Sequence, residues 1–420
     1  MPQMASTIPT PKEVFNYRVY VLALISSMGA ILFGYDLAFI GTTITLKPFL
    51  KDFGLENAKK TTLNAFSANI VSLLQAGCFF GALAAAPLGD KFGRKITLIL
   101  TGIIFCIGSI MQVASMGNIA VMFVGRAVGG LGVGAASMLV PLYIAEASPP
   151  SIRGRLVGIY EIGVQCGTCI GFWINYGVSQ NIAPTSAQWR ISFAVQLIPG
   201  ALLTIGMLLL SESPRWLVRF RSREAAIKVL AELRNLPTDH EYIIEEVFAI
   251  TDQVEQERHA VEGKGFLAEL REVALPGNRR RLILGVMIFV FMQMAGSNAI
   301  NYYSPRIFAS IGLKGQNTTL ISTGIYGLVR FVAVCIAMYW VVDRFGRRKM
   351  LIGGSMVAAI AMWFIGAYVK LNPITTTSAS NTSKIRAGGY ATATMIYIYA
   401  VAFCFSWAGV PWIYASEIFP

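Results

Sequence analysis

The chain has 420 residues, of which 55% are hydrophobic and only 14% charged. Its apolar residues come in long blocks and not as amphipathic stripes, which excludes an ordinary soluble domain and reads as a polytopic membrane protein. The formal net charge of +13 sits at block ends (Lys91, Arg94 and Lys95; Arg153 and Arg155; Arg344, Arg347, Arg348 and Lys349), so it reads as positive-inside topology and not as nucleic-acid binding.

Ten blocks are long enough to cross a hydrocarbon core, which takes about 20 residues of helix. In chain order they cover residues 19–44, 64–89, 96–114, 119–145, 156–177, 191–210, 282–309, 319–342, 350–370 and 391–418. The first is too long for a cleavable signal peptide and contains a carboxylate, Asp36. An ionised aspartate at mid-bilayer costs roughly 2.5–3.5 kcal/mol on insertion scales, so it calls for a partner, a watered cavity or a proton. Block 4 carries one charge deep in its length, Arg126. Two opposite charges in hydrocarbon should pair, and protonating Asp36 would then release Arg126 and loosen the bundle.

Block 5 places Glu161, Gln165 and Thr168 on one helical face, with Gly154 and Gly158 leaving room beside it. Block 7 places Gln293, Ser297 and Asn301 on another, with Asn298 and Tyr302 adjacent. Amides and hydroxyls arrayed in this way suit a polyhydroxylated ligand. Interhelical hydrogen bonding is the plainer use of Gln165 or Asn298. In block 10, Pro411 precedes Trp412, so a broken helix is expected there. Cys166 and Cys169 form a CxxC, read as small-residue packing. Two histidines, His240 and His259, both fall in the charged stretch between blocks 6 and 7, a poor basis for a metal site. No nucleophile or cofactor motif supports an enzyme.

The turn GDKFGRK at 89–95 recurs as VDRFGRR at 342–348, each time between the second and third helix of a half. Such a parallel repeat predicts two bundles with substrate near the midplane between them. Asp90 or Asp343 can hydrogen-bond at a helix end, Gly93 or Gly346 permits the turn, and Arg94 or Arg347 can clamp a cytoplasmic gate. The predicted division is a cytoplasmic N-terminal tail (1–18), a first bundle (19–211), a cytoplasmic connector of short amphipathic helices (212–280) and a second bundle (281–420). Even-numbered block ends are predicted inside. Sequons at Asn317 and Asn381 then fall outside, as glycosylation requires.

In order along the chain, GYD, DKFGRK, GRAVGGLGVG, PLYIAEASPPSIRG, SESPRWL, GSNAINYYSP, VDRFGRR and GVPWIYASEIFP resemble the sugar porters of the major facilitator superfamily. The stretch from 154 to 178 looks most like the fungal quinate permeases and their monosaccharide-transporting relatives. The resemblance implies an all-α fold of two six-helix bundles in the plasma membrane, alternating access, a monomer without cofactor, and a sugar or polyol acid carried with a proton. Asp36, Arg126 and Glu161 would then serve proton coupling. Phe33, Glu161, Gln165, Thr168, Gln293, Asn298, Asn301 and Trp412 would line the pocket. Asp90, Arg94, Glu146, Arg153, Glu212, Arg215, Asp343, Arg347 and Glu417 would form the cytoplasmic gate. Alternatives in the same fold are a passive facilitator and a nutrient sensor.

This sequence departs from the family pattern at Ala86, Ser211, Met292, Ala408 and Glu161. The last replaces a glutamine that the family uses on hexose hydroxyls. The resemblance further implies two more helices than the ten blocks here, so a truncated, unstable or inactive product is an expectation of this reading.

Overall fold

The computed structural model describes residues 10–261, 275–310, 316–371 and 387–418. Among these are ten helical spans long and apolar enough to cross a membrane. They are Lys12–Thr43, Thr61–Phe92, Arg94–Val113, Ile119–Ala147, Pro150–Asn181, Ala187–Leu209, Pro276–Tyr303, Asn317–Val341, Arg347–Leu371 and Ala387–Ala415, here spans 1 to 10. Each overlaps one expected block, and the ends follow local chemistry. Within span 1, Asn16 caps the helix Tyr17–Ser26 by accepting from the Arg18 amide at 2.9 Å. Asn118 caps span 4 by accepting from the Ala120 and Val121 amides.

Missing side chains set the helix packing inside the first bundle. A Cβ on Gly34 of span 1 would lie 1.8 Å from the Val164 carbonyl oxygen of span 5, and one on Gly81 of span 2 would lie 2.1 Å from that of Leu131 in span 4. The backbones touch, which is how helices associate in lipid, where apolar contact alone gives little preference for protein over acyl chain.

The two halves meet along span 1 against span 7 and span 5 against span 8. Midway along span 2, Gln75 donates to the Tyr302 hydroxyl at 2.6 Å, and toward the end away from the connector Arg306 donates to Ser67 Oγ at 2.9 Å and to Asn64 Oδ1 at 3.3 Å.

Five of the described spans are interrupted, spans 1 and 6 at single turn residues, Ser27 and Gln196. Span 7 is two helices, Pro276–Met294 and Ser297–Ser310, joined through Gly296 at φ +84°. Spans 8 and 10 carry π-helical turns at Ala337–Val341 and Cys404–Ala408. In span 10 a fresh helix, Val410–Ile418, begins just before Pro411. Broken helices at membrane depth are tolerated where they lie within protein or line a cavity.

The connector contains helices Pro214–Phe220, Arg223–Arg234 and Glu241–Val261. It is tied to the first bundle by a fully buried arginine. Arg234 bonds Glu246 at 2.6 and 3.1 Å and the Ala147 carbonyl, at the end of span 4, at 2.8 Å. Residues 262–274, the sequon at 381–383, and the side chains of His259, Asp343 and Glu417 lie outside the described residues.

Candidate functional site

Asp36 and Arg126 form a buried pair inside the first bundle. Arg126 Nη1 donates to Asp36 Oδ1 at 2.6 Å, with the two side chains 0% and 1% exposed. Arg126 Nε also donates to the Ile70 carbonyl at 3.2 Å. The contact is one-pronged. Asp36 Oδ2 and Arg126 Nη2 are buried without a hydrogen-bond partner among the described residues. A fork-to-fork guanidinium–carboxylate contact would use both, so the pair is held short of its strongest geometry.

A second polar cluster crosses the boundary between the halves. Gln165 of span 5 donates to Glu161 Oε1 at 2.7 Å, and its own Oε1 accepts from Arg330 Nε of span 8 at 2.9 Å. Arg330 Nη1 donates to Ser297 at 2.7 Å, Asn301 at 2.8 Å and the Tyr326 hydroxyl at 3.0 Å. The faces expected of spans 5 and 7 therefore meet, and an arginine absent from the expected site organises them. Its signal was the one that singled out Asp36 and Arg126: it is the only charge deep in block 8.

The expected alignment of Gln293 with Ser297 and Asn301 is corrected. The break at Gly296 puts Gln293 on a separate helix, where it is exposed and accepts from Asn298 at 2.7 Å. Tyr302 turns instead toward Gln75 of the first bundle. Thr168 is buried, and its hydroxyl is engaged by the Val164 and Gly34 carbonyls at 2.9 and 3.2 Å. It lies on the contact between spans 1 and 5.

Phe33 is half-buried against clusters of the first bundle. Trp412 packs edge-on to Tyr160 and Phe289, with ring centroids 5.1 and 4.9 Å away. Its indole Nε1 is buried without a hydrogen-bond partner among the described residues. A tryptophan gripped from both halves is not an interfacial anchor, whose polar edge would reach the headgroups.

The repeated turn makes its fullest set of described contacts in the first half. Gly93 and Gly346 adopt φ +95° and +76°, as the tight turn demands. Arg94 bonds Asp90 and Glu146 at 3.0 Å each. Glu212 accepts from the Arg94, Lys95 and Ser213 amides at 2.9, 3.1 and 2.8 Å. Burial pushes the Glu212 carboxyl above its ordinary range, against the pull of those amides. Ser213 donates to Glu146 Oε2 at 2.5 Å.

These contacts bind spans 2, 3 and 4 to the chain after span 6, all within one half. Arg153 and Arg215 are half-buried nearby, and in the second half Arg347 donates to the Val342 carbonyl at 3.4 Å. Arg94→Gln leaves Glu146 without its cation and should lower stability by about 1–3 kcal/mol, the cost of an unsatisfied buried group. Thermal unfolding of purified protein checks this, and an unchanged melting temperature would contradict it.

Among solved structures, the proton:xylose symporter XylE bound to 6-bromo-6-deoxy-D-glucose matches with TM-score 0.80 and 26% identity, over 96% of this chain and 83% of that one. A partially occluded, inward-open form of XylE from E. coli matches with TM-score 0.74 and 26% identity, over 96% and 86% of the two chains. The "Probable quinate permease" of Neosartorya fischeri is 47% identical over 98% of this chain and 76% of its own length. The quinate permease of Emericella nidulans is 45% identical over 98% and 76%.

Two packed halves of membrane-spanning helices, matched by these relatives, define a membrane transporter of the major facilitator fold, and not an enzyme. The family model "Sugar (and other) transporter" matches residues 22–420, and the chain belongs to that family.

Proposed function

We propose that the protein is a proton-coupled secondary transporter that imports a monosaccharide or a quinate-like polyol acid by alternating access. The observation that carries this reading is the Asp36–Arg126 pair, wholly buried, with Asp36 Oδ2 and Arg126 Nη2 left without a hydrogen-bond partner among the described residues. A buried ion pair seldom contributes net stability over an apolar replacement, whereas losing one partner is costly. Protonation of Asp36 therefore changes the energy of the first bundle, and any difference in that energy between inward and outward states couples proton to substrate.

The cluster of Glu161, Gln165, Asn301 and Trp412 supplies polar and aromatic groups from both halves for a polyhydroxylated ligand, with Phe33, Gln293 and Asn298 at its margins. The Arg94 cluster and its counterpart at Arg347, with Asp90, Glu146, Arg153, Glu212, Arg215, Asp343 and Glu417, would brace the cytoplasmic gate. The basic turns face the cytoplasm in this reading, as does the N-terminus, in the plasma membrane. The exposed Asn317 lies on the opposite side, available for glycosylation.

The test is uptake of radiolabelled quinate, glucose, fructose and xylose by yeast lacking its own transporters. The cells express this chain, or this chain joined to the part of the Emericella nidulans relative that it does not span. Accumulation of one substrate that is abolished by protonophore and by Asp36→Asn is expected. Uptake that merely equilibrates and ignores both treatments would establish a passive facilitator instead.

A further inference from the structure

We propose that Arg330 is the anion-recognising group of the substrate site, so that the preferred ligand is a polyhydroxylated carboxylate and not a neutral sugar. The inference rests on the transporter reading above and specifies its substrate class. Arg330 is 2% exposed and lies mid-way along span 8. Its four hydrogen-bond acceptors are all neutral: Gln165, Ser297, Asn301 and the Tyr326 hydroxyl. Among the described residues no carboxylate lies within 4.0 Å of it, in contrast to Arg94, Arg126 and Arg234, each of which has an acidic partner.

An arginine kept in the interior without a paired carboxylate is expensive, because desolvation is not offset by a neighbouring anion. The fold accepts that cost where it also gathers hydroxyls and amides from both halves. Tyr326 and Phe403 lie against the guanidinium carbon, with ring centroids 5.6 and 5.4 Å away. Such packing fixes the planar fork for two-pronged recognition of a carboxylate.

The acceptors around Arg330 suit the rest of the same ligand. Gln165, Ser297 and Asn301 can each accept from or donate to ring hydroxyls once the guanidinium is engaged elsewhere. Glu161 is linked to Arg330 through Gln165, so that acid is one side chain removed and makes no direct ion pair with the cation. The bridge from Arg330 to Gln165 joins the second half to the first. A carboxylate bound to Arg330 would therefore sit where the two halves move against each other.

The test uses the purified chain in detergent, with binding of labelled quinate competed by unlabelled quinate, its neutral carboxamide, xylose and glucose. Charge-assisted hydrogen bonds are about twice as strong as neutral ones, so the acid should bind at least about tenfold more tightly than its amide. Arg330→Gln should erase that preference while retaining the amide's affinity, and Arg330→Lys should keep part of it.

The acid-to-amide ratio on the unaltered protein needs no variant, so misfolding of Arg330→Gln does not spare the proposal. Equal affinity for acid and amide, or tighter binding of xylose or glucose, overturns the role of Arg330 and leaves the transporter reading standing. Binding of none of the four overturns both. A preference for the acid that survives intact in correctly folded Arg330→Gln also overturns the assignment.

Discussion

Arg126→Ala is expected to destabilise the protein by about 3–5 kcal/mol, the cost of stranding one member of a buried ion pair, whereas Asp36→Leu/Arg126→Leu should recover most of that loss. The asymmetry follows from the geometry. Arg126 reaches both Asp36 and the Ile70 carbonyl, and both charged side chains are out of contact with solvent. Removing the guanidinium leaves a carboxylate that must take up a proton or remain uncompensated. Removing both charges takes away the attraction and the desolvation cost together.

A double-mutant cycle built from Arg126→Leu, Asp36→Leu and the pair, read by thermal unfolding, should show strong non-additivity. Costs that simply add would mean that the two charges do not depend on each other. In transport, the double variant is expected to fold and yet fail to concentrate substrate. Stability and coupling would then separate.

Gly34→Ala should be nearly as damaging, although it adds a single methyl. The new carbon would lie 1.8 Å from the Val164 carbonyl oxygen and 2.7 Å from its carbonyl carbon. No side-chain rotation relieves a clash with backbone, so spans 1 and 5 must separate at the level of Asp36 and Thr168. Overpacking of a tight interior costs about 1–3 kcal/mol or more. Gly177→Ala on span 5 is the matched control. Nothing lies within 4 Å of its added carbon, and the change should stabilise by about 0.5–1 kcal/mol through helix propensity. Equal melting temperatures for the two variants would refute this account of the contact between spans 1 and 5.

Much of the architecture is legible in the residues themselves. Ten apolar blocks became ten spans, and the repeated DxFGR turns closed on positive-φ glycines. The Asp36–Arg126 pair is legible because each charge is alone in a long apolar block, where opposite charges in hydrocarbon seek each other. The same rule applied to Arg330 would have located the centre of the cross-bundle cluster.

Other features have no comparable local signature. The break in span 7 falls at Ala295–Gly296, where no proline marks it, and a glycine in a membrane helix more often signals close packing than a turn. Helical periodicity therefore carried straight through it and misplaced Gln293 relative to Ser297. Arg234 and Glu246 sit in segments whose mixed charge reads as a solvated amphipathic face. Only docking of the connector on the end of span 4 turns them into a buried pair.

The most direct test of proton coupling uses purified protein in liposomes with an imposed pH gradient, acidic on the side of substrate entry and with no other driving force. Labelled substrate should accumulate above its outside concentration while the acidic compartment loses protons in step. Asp36→Asn should still exchange labelled for unlabelled substrate across the membrane but should accumulate none. Accumulation that persists in Asp36→Asn, or that is indifferent to the pH gradient in the unaltered protein, would contradict the assignment of Asp36 as the coupling carboxylate.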